Sequence, residues 1–145
     1  MCIRDSLSRA EIEKVIDLFE KADDIYDEFD KARGKGTALI VGIGDIPLIK
    51  EIPGYSEALE NILVYLMSLG YEKLLDLAAL MWYGGWKPLG EYSFCWHRKD
   101  LKQYFSESAE EMAYYIFCKN KVVCYWLRTA LQMLDKYGVS VRRCV

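Results

Sequence analysis

The sequence predicts an all-α fold: a single-domain bundle of four to six helices, with one short β-hairpin as a candidate insertion. Three observations predict it. Apolar residues from Ile12 to Phe29 recur every three or four positions, Leu74 to Trp82 is apolar almost throughout, and Val122 to Tyr137 carries a broad apolar face. A chain of 145 residues has room for one modest core, in which roughly two-thirds of the unfolded surface is buried. The helical domain is expected over residues 7–138, with 139–145 as a C-terminal tail. Met1-Cys2-Ile3-Arg4-Asp5-Ser6 reads as translated sequencing adapter, which puts the native start near or upstream of Leu7.

Ser8-Arg9-Ala10-Glu11 has the form of a capping box, so the first helix starts there and stops at Gly34 and Gly36. From Ala38 to Ile49, β-branched residues surround a glycine turn. A hairpin limited to a sheet edge by Pro47 and a packed irregular insertion are both compatible with them. Ser56 is the expected cap of a second helix through Ala58, Leu59, Ile62, Leu63, Leu66 and Leu69, with Gly70 as its stop. A third helix follows from Tyr71 to Trp82. It is apolar on nearly every face, which makes it the central helix and puts Trp82 in the core. Gly84 to Phe94 lacks a period and is expected to be a loop, and Lys99 to Phe105 a short helix. Ser108-Ala109-Glu110-Glu111 repeats the capping box before Met112, Ala113, Ile116 and Phe117, and Gly138 ends the last helix.

Composition narrows the class. Asp45, Pro47 and Asp76 break the apolar runs before any reaches the roughly 18 residues a membrane span needs. Apart from Cys2, the cysteines are Cys95, Cys118, Cys124 and Cys144, none in a C-x-x-C pair, a pattern that suggests reduced thiols and a cytoplasmic protein. Residues 1–72 are acidic and the remainder mildly basic, a split that suits self-complementary packing better than nucleic-acid binding.

Leu77-Ala78-Ala79-Leu80-Met81-Trp82-Tyr83-Gly84, Ala113-Tyr114-Tyr115-Ile116 and Leu131-Gln132-Met133-Leu134-Asp135-Lys136-Tyr137-Gly138 resemble a small bacterial family, domain of unknown function 3775. The likeness covers most of the chain, including the first amphipathic helix. The family typically has Gly-Arg-Gly after the tryptophan where this chain has Gly84-Gly85-Trp86, and the segment from Ala38 to Ile49 looks foreign to it. The resemblance implies a compact helical domain without an assigned activity, and it supplies no catalytic residue.

Four constellations invite chemistry. Glu20, Asp23, Asp27 and Asp30 share one helical face, and Asp23-Asp24-Ile25-Tyr26-Asp27 has the D-D-x-x-D spacing of magnesium sites in isoprenoid enzymes, which are much longer proteins. Glu20 with Asp23, and Glu107 with Glu110, also match the paired carboxylates of small all-α nucleotide pyrophosphohydrolases. The ordinary meaning of such a run is a solvated acidic face. His97, the only histidine, lies two residues from Cys95, too isolated for a four-ligand zinc site and without a third group to orient it as a base. The glycines at 34, 36, 42 and 44 fit turns and not phosphate-cradling loops. Finally, Tyr83, Trp86, Tyr92, Trp96 and Arg98 concentrate the residue types found at the centres of protein interfaces.

The resulting expectation is a non-enzymatic protein-binding or self-assembly module that uses Tyr83, Trp86, Tyr92, Trp96 and Arg98. Its partner would be a protein or a second copy of the chain, with no membrane, nucleic acid or cofactor involved. The alternative is a magnesium-dependent nucleotide phosphohydrolase holding its metal on Glu20, Asp23, Asp27 and Asp30.

Overall fold

The computed structural model describes residues 7–32, 52–85, 91–105, 108–119 and 121–137. Six α-helices run through them: α1 (Arg9–Ala32), α2 (Tyr55–Leu69), α3 (Tyr71–Gly85), α4 (Glu91–Tyr104), α5 (Ala109–Phe117) and α6 (Val122–Tyr137). The fold is all-α. The candidate hairpin at 38–49 and the stop at Gly138 lie outside the described residues. No helix among the described residues is long and apolar enough to cross a membrane.

The first capping box forms in full, and the second forms its N-cap bond. The Ser8 N–H donates to Glu11 Oε1 (2.9 Å) while the Glu11 N–H donates to Ser8 Oγ (3.1 Å), and at the start of α5 the Glu111 N–H donates to Ser108 Oγ (3.2 Å). Ser56 does not cap α2. That helix begins at Tyr55 behind Gly54, whose φ of 80° places it in the left-handed region. Gly70 ends α2 at φ 84°, a conformation open to glycine, and α3 starts at the next residue.

α3 lies at the centre of the bundle. Leu74 through Met81, with Tyr83 and Gly84, are buried, and α2, α4, α5 and α6 all pack against it. α1 lies along α2 and α6, where Ile12, Val15, Ile16, Phe19, Ala22 and Tyr26 enter the core. Ile62 and Leu66 of α2, Met112 and Ile116 of α5, and Val123, Leu127 and Ala130 of α6 complete it.

Two boundaries differ from the sequence expectation. α3 continues through Gly84 and Gly85, so these glycines are spacers and not a loop. A Cβ on Gly84 would stand 1.9 Å from the Trp126 carbonyl oxygen, and one on Gly85 would stand 2.7 Å from the Trp126 ring. α6 thus approaches the end of α3 more closely than any side chain allows. α4 begins at Glu91, eight residues before Lys99, because Phe94 buries itself edge-on against Tyr83, their ring centroids 6.2 Å apart. That contact lies outside any period visible in the short segment.

Gly84 supplies a test of sign. Glycine to alanine in an exposed helix normally gains up to about 1 kcal/mol. Gly84→Ala is expected instead to destabilise by about 2–3 kcal/mol, the cost of overpacking, in urea unfolding. A neutral or stabilising result would contradict the α3–α6 approach.

Candidate functional site

An aromatic cluster at the surface is built from three helices and the residue that follows one of them. On α4, Trp96, His97, Asp100, Leu101 and Tyr104 fall at spacings of one, three, one and three, one continuous arc of a helix. Trp82 from the end of α3, Phe105 just beyond α4, and Tyr115 from α5 close the opposite side. Together they line a cleft of about 480 Å³, a size within the range of ligand sites. A second depression of about 700 Å³ shares Phe105 and Tyr115 and continues along α5 past Tyr114 and Lys119.

The walls are fixed by their own contacts. Trp82 Nε1–H donates to the Tyr115 hydroxyl oxygen at 2.6 Å, and the Trp82 ring leans on Trp126, centroids 5.3 Å apart. Trp82 is therefore shared between core and cleft and not enclosed. Phe105 and Tyr115 pack at 4.8 Å, and the Tyr71 hydroxyl donates to the Phe105 carbonyl at 2.7 Å, pinning the chain where α4 ends. Trp96 meets His97 edge-on at 5.2 Å. On the second depression's side, Lys119 Nζ stands 5.3 Å from the Trp82 ring centroid and 4.9 Å from that of Tyr115.

Two titratable lining side chains are shifted toward their neutral forms. Burial lowers the His97 pKa below its ordinary 6.5, against the pull of Asp100, so the imidazole is neutral at pH 7. Burial likewise raises the Tyr115 pKa and keeps its hydroxyl protonated. Asp100 is the one carboxyl among the lining residues, and no basic side chain among the described residues pairs with it.

The five residues expected at an interface separate. Trp96 is 59% exposed at the cleft. Tyr83 is fully buried against Phe94 and offers no surface, since it falls on the enclosed side of α3. Arg98 turns inward, where Nε donates to Asp76 Oδ1 and an Nη donates to Glu72 Oε2, each at 2.6 Å. It serves the buried carboxyl of α3 and does not reach out to a partner. Trp86 and the side chain of Tyr92 lie outside the described residues. Tyr104 (75% exposed), Asp100 and Tyr115 were not anticipated. The arc from Trp96 to Tyr104 carries the signal, but only once α4 is known to be continuous.

Among the described residues, Asp76 is the one buried charged residue. Burial pushes its carboxyl pKa above the ordinary value, opposed by Arg98 and by the Leu7 N–H, which donates to Oδ2 at 3.2 Å. Burial alone would lower the Arg98 pKa, yet Asp76 and Glu72 hold it above its usual range.

The acidic face of α1 is largely engaged. Glu20 meets Arg128 at 2.5 Å and Asp27 meets Lys121 at 3.0 Å, both partners coming from around α6. Asp23 is partly buried, and burial together with Asp27, Asp24 and Glu20 outweighs Lys121 to push its pKa up to about 6. The Asp30 side chain lies outside the described residues. Among the described residues no three His, Cys, Asp or Glu side chains gather where a metal ion could be held.

Cys118 and Cys124 are free thiols. Cys124 donates to the Ile16 carbonyl at 3.5 Å, and burial drives its pKa up to about 12, which leaves it inert. Cys95 is disulfide-bonded. The reduced reading fails at that position, where chain spacing says nothing about which sulfurs meet, and Cys95 is not a free nucleophile or zinc ligand beside His97. Comparison with family models, curated proteins and solved structures returned no match.

Two outcomes follow. Arg98→Met should cost about 3 kcal/mol by stranding the Asp76 carboxyl, and adding Asp76→Leu should recover most of that loss in denaturant unfolding. The folded-state pKa of Asp23 lies above its ordinary 3.8, so the folded chain holds that proton more tightly and its stability contribution falls as pH rises from there to about 6. Asp23→Asn should thus gain on the wild type across that window. A stability difference independent of pH would rule out the shift.

Proposed function

We propose that the protein is a non-enzymatic binding module that receives a segment of a partner protein in the aromatic cleft between α3, α4 and α5. The observation that carries this reading is Trp96, exposed at a cleft whose Trp82, Phe105 and Tyr115 walls are held by their own contacts. Tryptophan and tyrosine dominate the energetic centres of interfaces, and rings already fixed by hydrogen bonds lose little entropy on binding. Tyr104 beside Trp96 and Tyr114 along the second depression, 75% and 50% exposed, extend the same face. The alternative of a metal-dependent phosphohydrolase on α1 has less support, because Glu20 and Asp27 already face cations of the chain itself.

Selection of random displayed peptides on the full chain tests the reading. Enriched peptides should bind the wild type and lose at least tenfold in affinity against Trp96→Ala and Tyr104→Ala, with circular dichroism confirming that both variants fold. Peptides that bind the variants equally well, or no enrichment, would overturn it. Sedimentation velocity over a concentration series separates the self-assembly form. A dimer that dissociates in Trp96→Ala would make the second copy the occupant.

A further inference from the structure

Aromatic faces present negative potential, and in this cleft aromatic residues share the lining with a single carboxyl group, that of Asp100. Trp82, Trp96, Tyr104 and Tyr115 line the same cavity as Asp100, while His97 is held neutral by burial. No basic side chain among the described residues forms an ion pair with Asp100. A cavity with this lining attracts a cation. The chain itself shows that two of these rings accept one, since Lys119 Nζ stands over both Trp82 and Tyr115 from the neighbouring depression.

The type of cation follows from hydrogen bonding. A primary ammonium brings three N–H donors, each of which needs an acceptor once water is removed. Nearly all the surface the cleft presents is apolar, and its side-chain polar groups are the Asp100 carboxyl, the His97 imidazole and the hydroxyls of Tyr104 and Tyr115, of which Tyr115 already accepts from Trp82. An ammonium whose hydrogens are replaced by methyl groups keeps the charge, loses the need for acceptors and fills apolar space. We propose that the cleft is a cage for a methylated ammonium, presented as a methylated lysine side chain of the partner protein. This rests on the reading of the cleft as a partner-binding site and names the group that enters it.

The probe is the capped tripeptide acetyl-Gly-Lys(trimethyl)-Gly-amide. Its comparators are the same peptide with unmodified lysine, the neutral isostere with carbon in place of the charged nitrogen, and tetramethylammonium chloride. Binding to the full chain is read by calorimetry and by the indole N–H resonances of its tryptophans. The trimethylated peptide should bind at least tenfold more tightly than the isostere and than unmodified lysine, shifting the Trp82 and Trp96 indole signals. Asp100→Asn should weaken it several-fold while leaving the isostere unchanged, and Trp96→Ala should abolish it.

An isostere that binds equally well, or no binding by the trimethylated peptide, would overturn the cation cage. Tetramethylammonium binding as tightly as the peptide would overturn the assignment to a protein side chain and point to a free small cation. Displayed peptides that bind through the cleft with an apolar anchor would sink the cage while leaving the partner-binding reading intact, so the two failures are distinguishable.

Discussion

The enclosure of α3 is the constraint on which the rest of the structure depends. A helix buried from Leu74 to Met81 on every face needs apolar neighbours on all sides, and α2, α4, α5 and α6 supply them. One position breaks that uniformity. Asp76 enters the core with a carboxyl that burial disfavours, so its compensation must be exact in geometry, and Arg98 and the Leu7 N–H provide it. Such a pair is weak evidence for net stability, since desolvation offsets most of its Coulomb gain. What it provides is register. With Arg98 held over Asp76 and Glu72, the rotation of α4 about its axis is set, and the arc from Trp96 to Tyr104 is turned toward Trp82 and Tyr115.

The cleft forms where the enclosure ends. Gly84 and Gly85 let α6 close against the last turn of α3, which places Trp126 under the Trp82 ring and tilts that ring into the space between α4 and α5. Tyr115 takes the indole N–H, so neither polar group is left unsatisfied at the boundary between core and surface. A rigid aromatic wall results from packing demands made by the interior. The exposed residues Trp96 and Tyr104 are the only parts of that wall whose position the core does not explain, and they are the ones a partner would reach first.

Much of the fold was legible because its signals are local. The capping box at Ser8, the N-cap at Ser108, the stripe of α1, the stop at Gly70 and the apolar run of α3 each lie within a few residues, and the structure contains all of them. The errors share a different cause. Gly84 and Gly85 look like a helix terminator unless the approach of Trp126, some forty positions later, is known. The first turns of α4 have no period of their own, and their helix depends on Phe94 reaching Tyr83 in another element. The same distance effect hid the site. Tyr83 and Arg98 have interface chemistry by type, yet tertiary contacts draw both inward, while Tyr115 and Asp100 acquire a role only when α5 and α4 meet.

The uneven charge of the sequence is also answered within the chain. The acidic excess of the first half meets the basic second half inside one molecule: Glu20 with Arg128, Asp27 with Lys121, and, in the first turn of α1, Glu11 with Lys73. Arg9 adds a bidentate contact to Asp135 at 2.8 and 2.9 Å that ties the start of α1 to the last turns of α6. Each exposed pair contributes little, about 0–1 kcal/mol. Their sign pattern nevertheless disfavours any arrangement that brings α1 against another acidic surface. The charge split is therefore spent on seating α1 along α6, and it is no longer available as an argument for nucleic acid or for a second copy. The one lining carboxyl of the cleft, that of Asp100, stands apart from this network and forms no ion pair among the described residues.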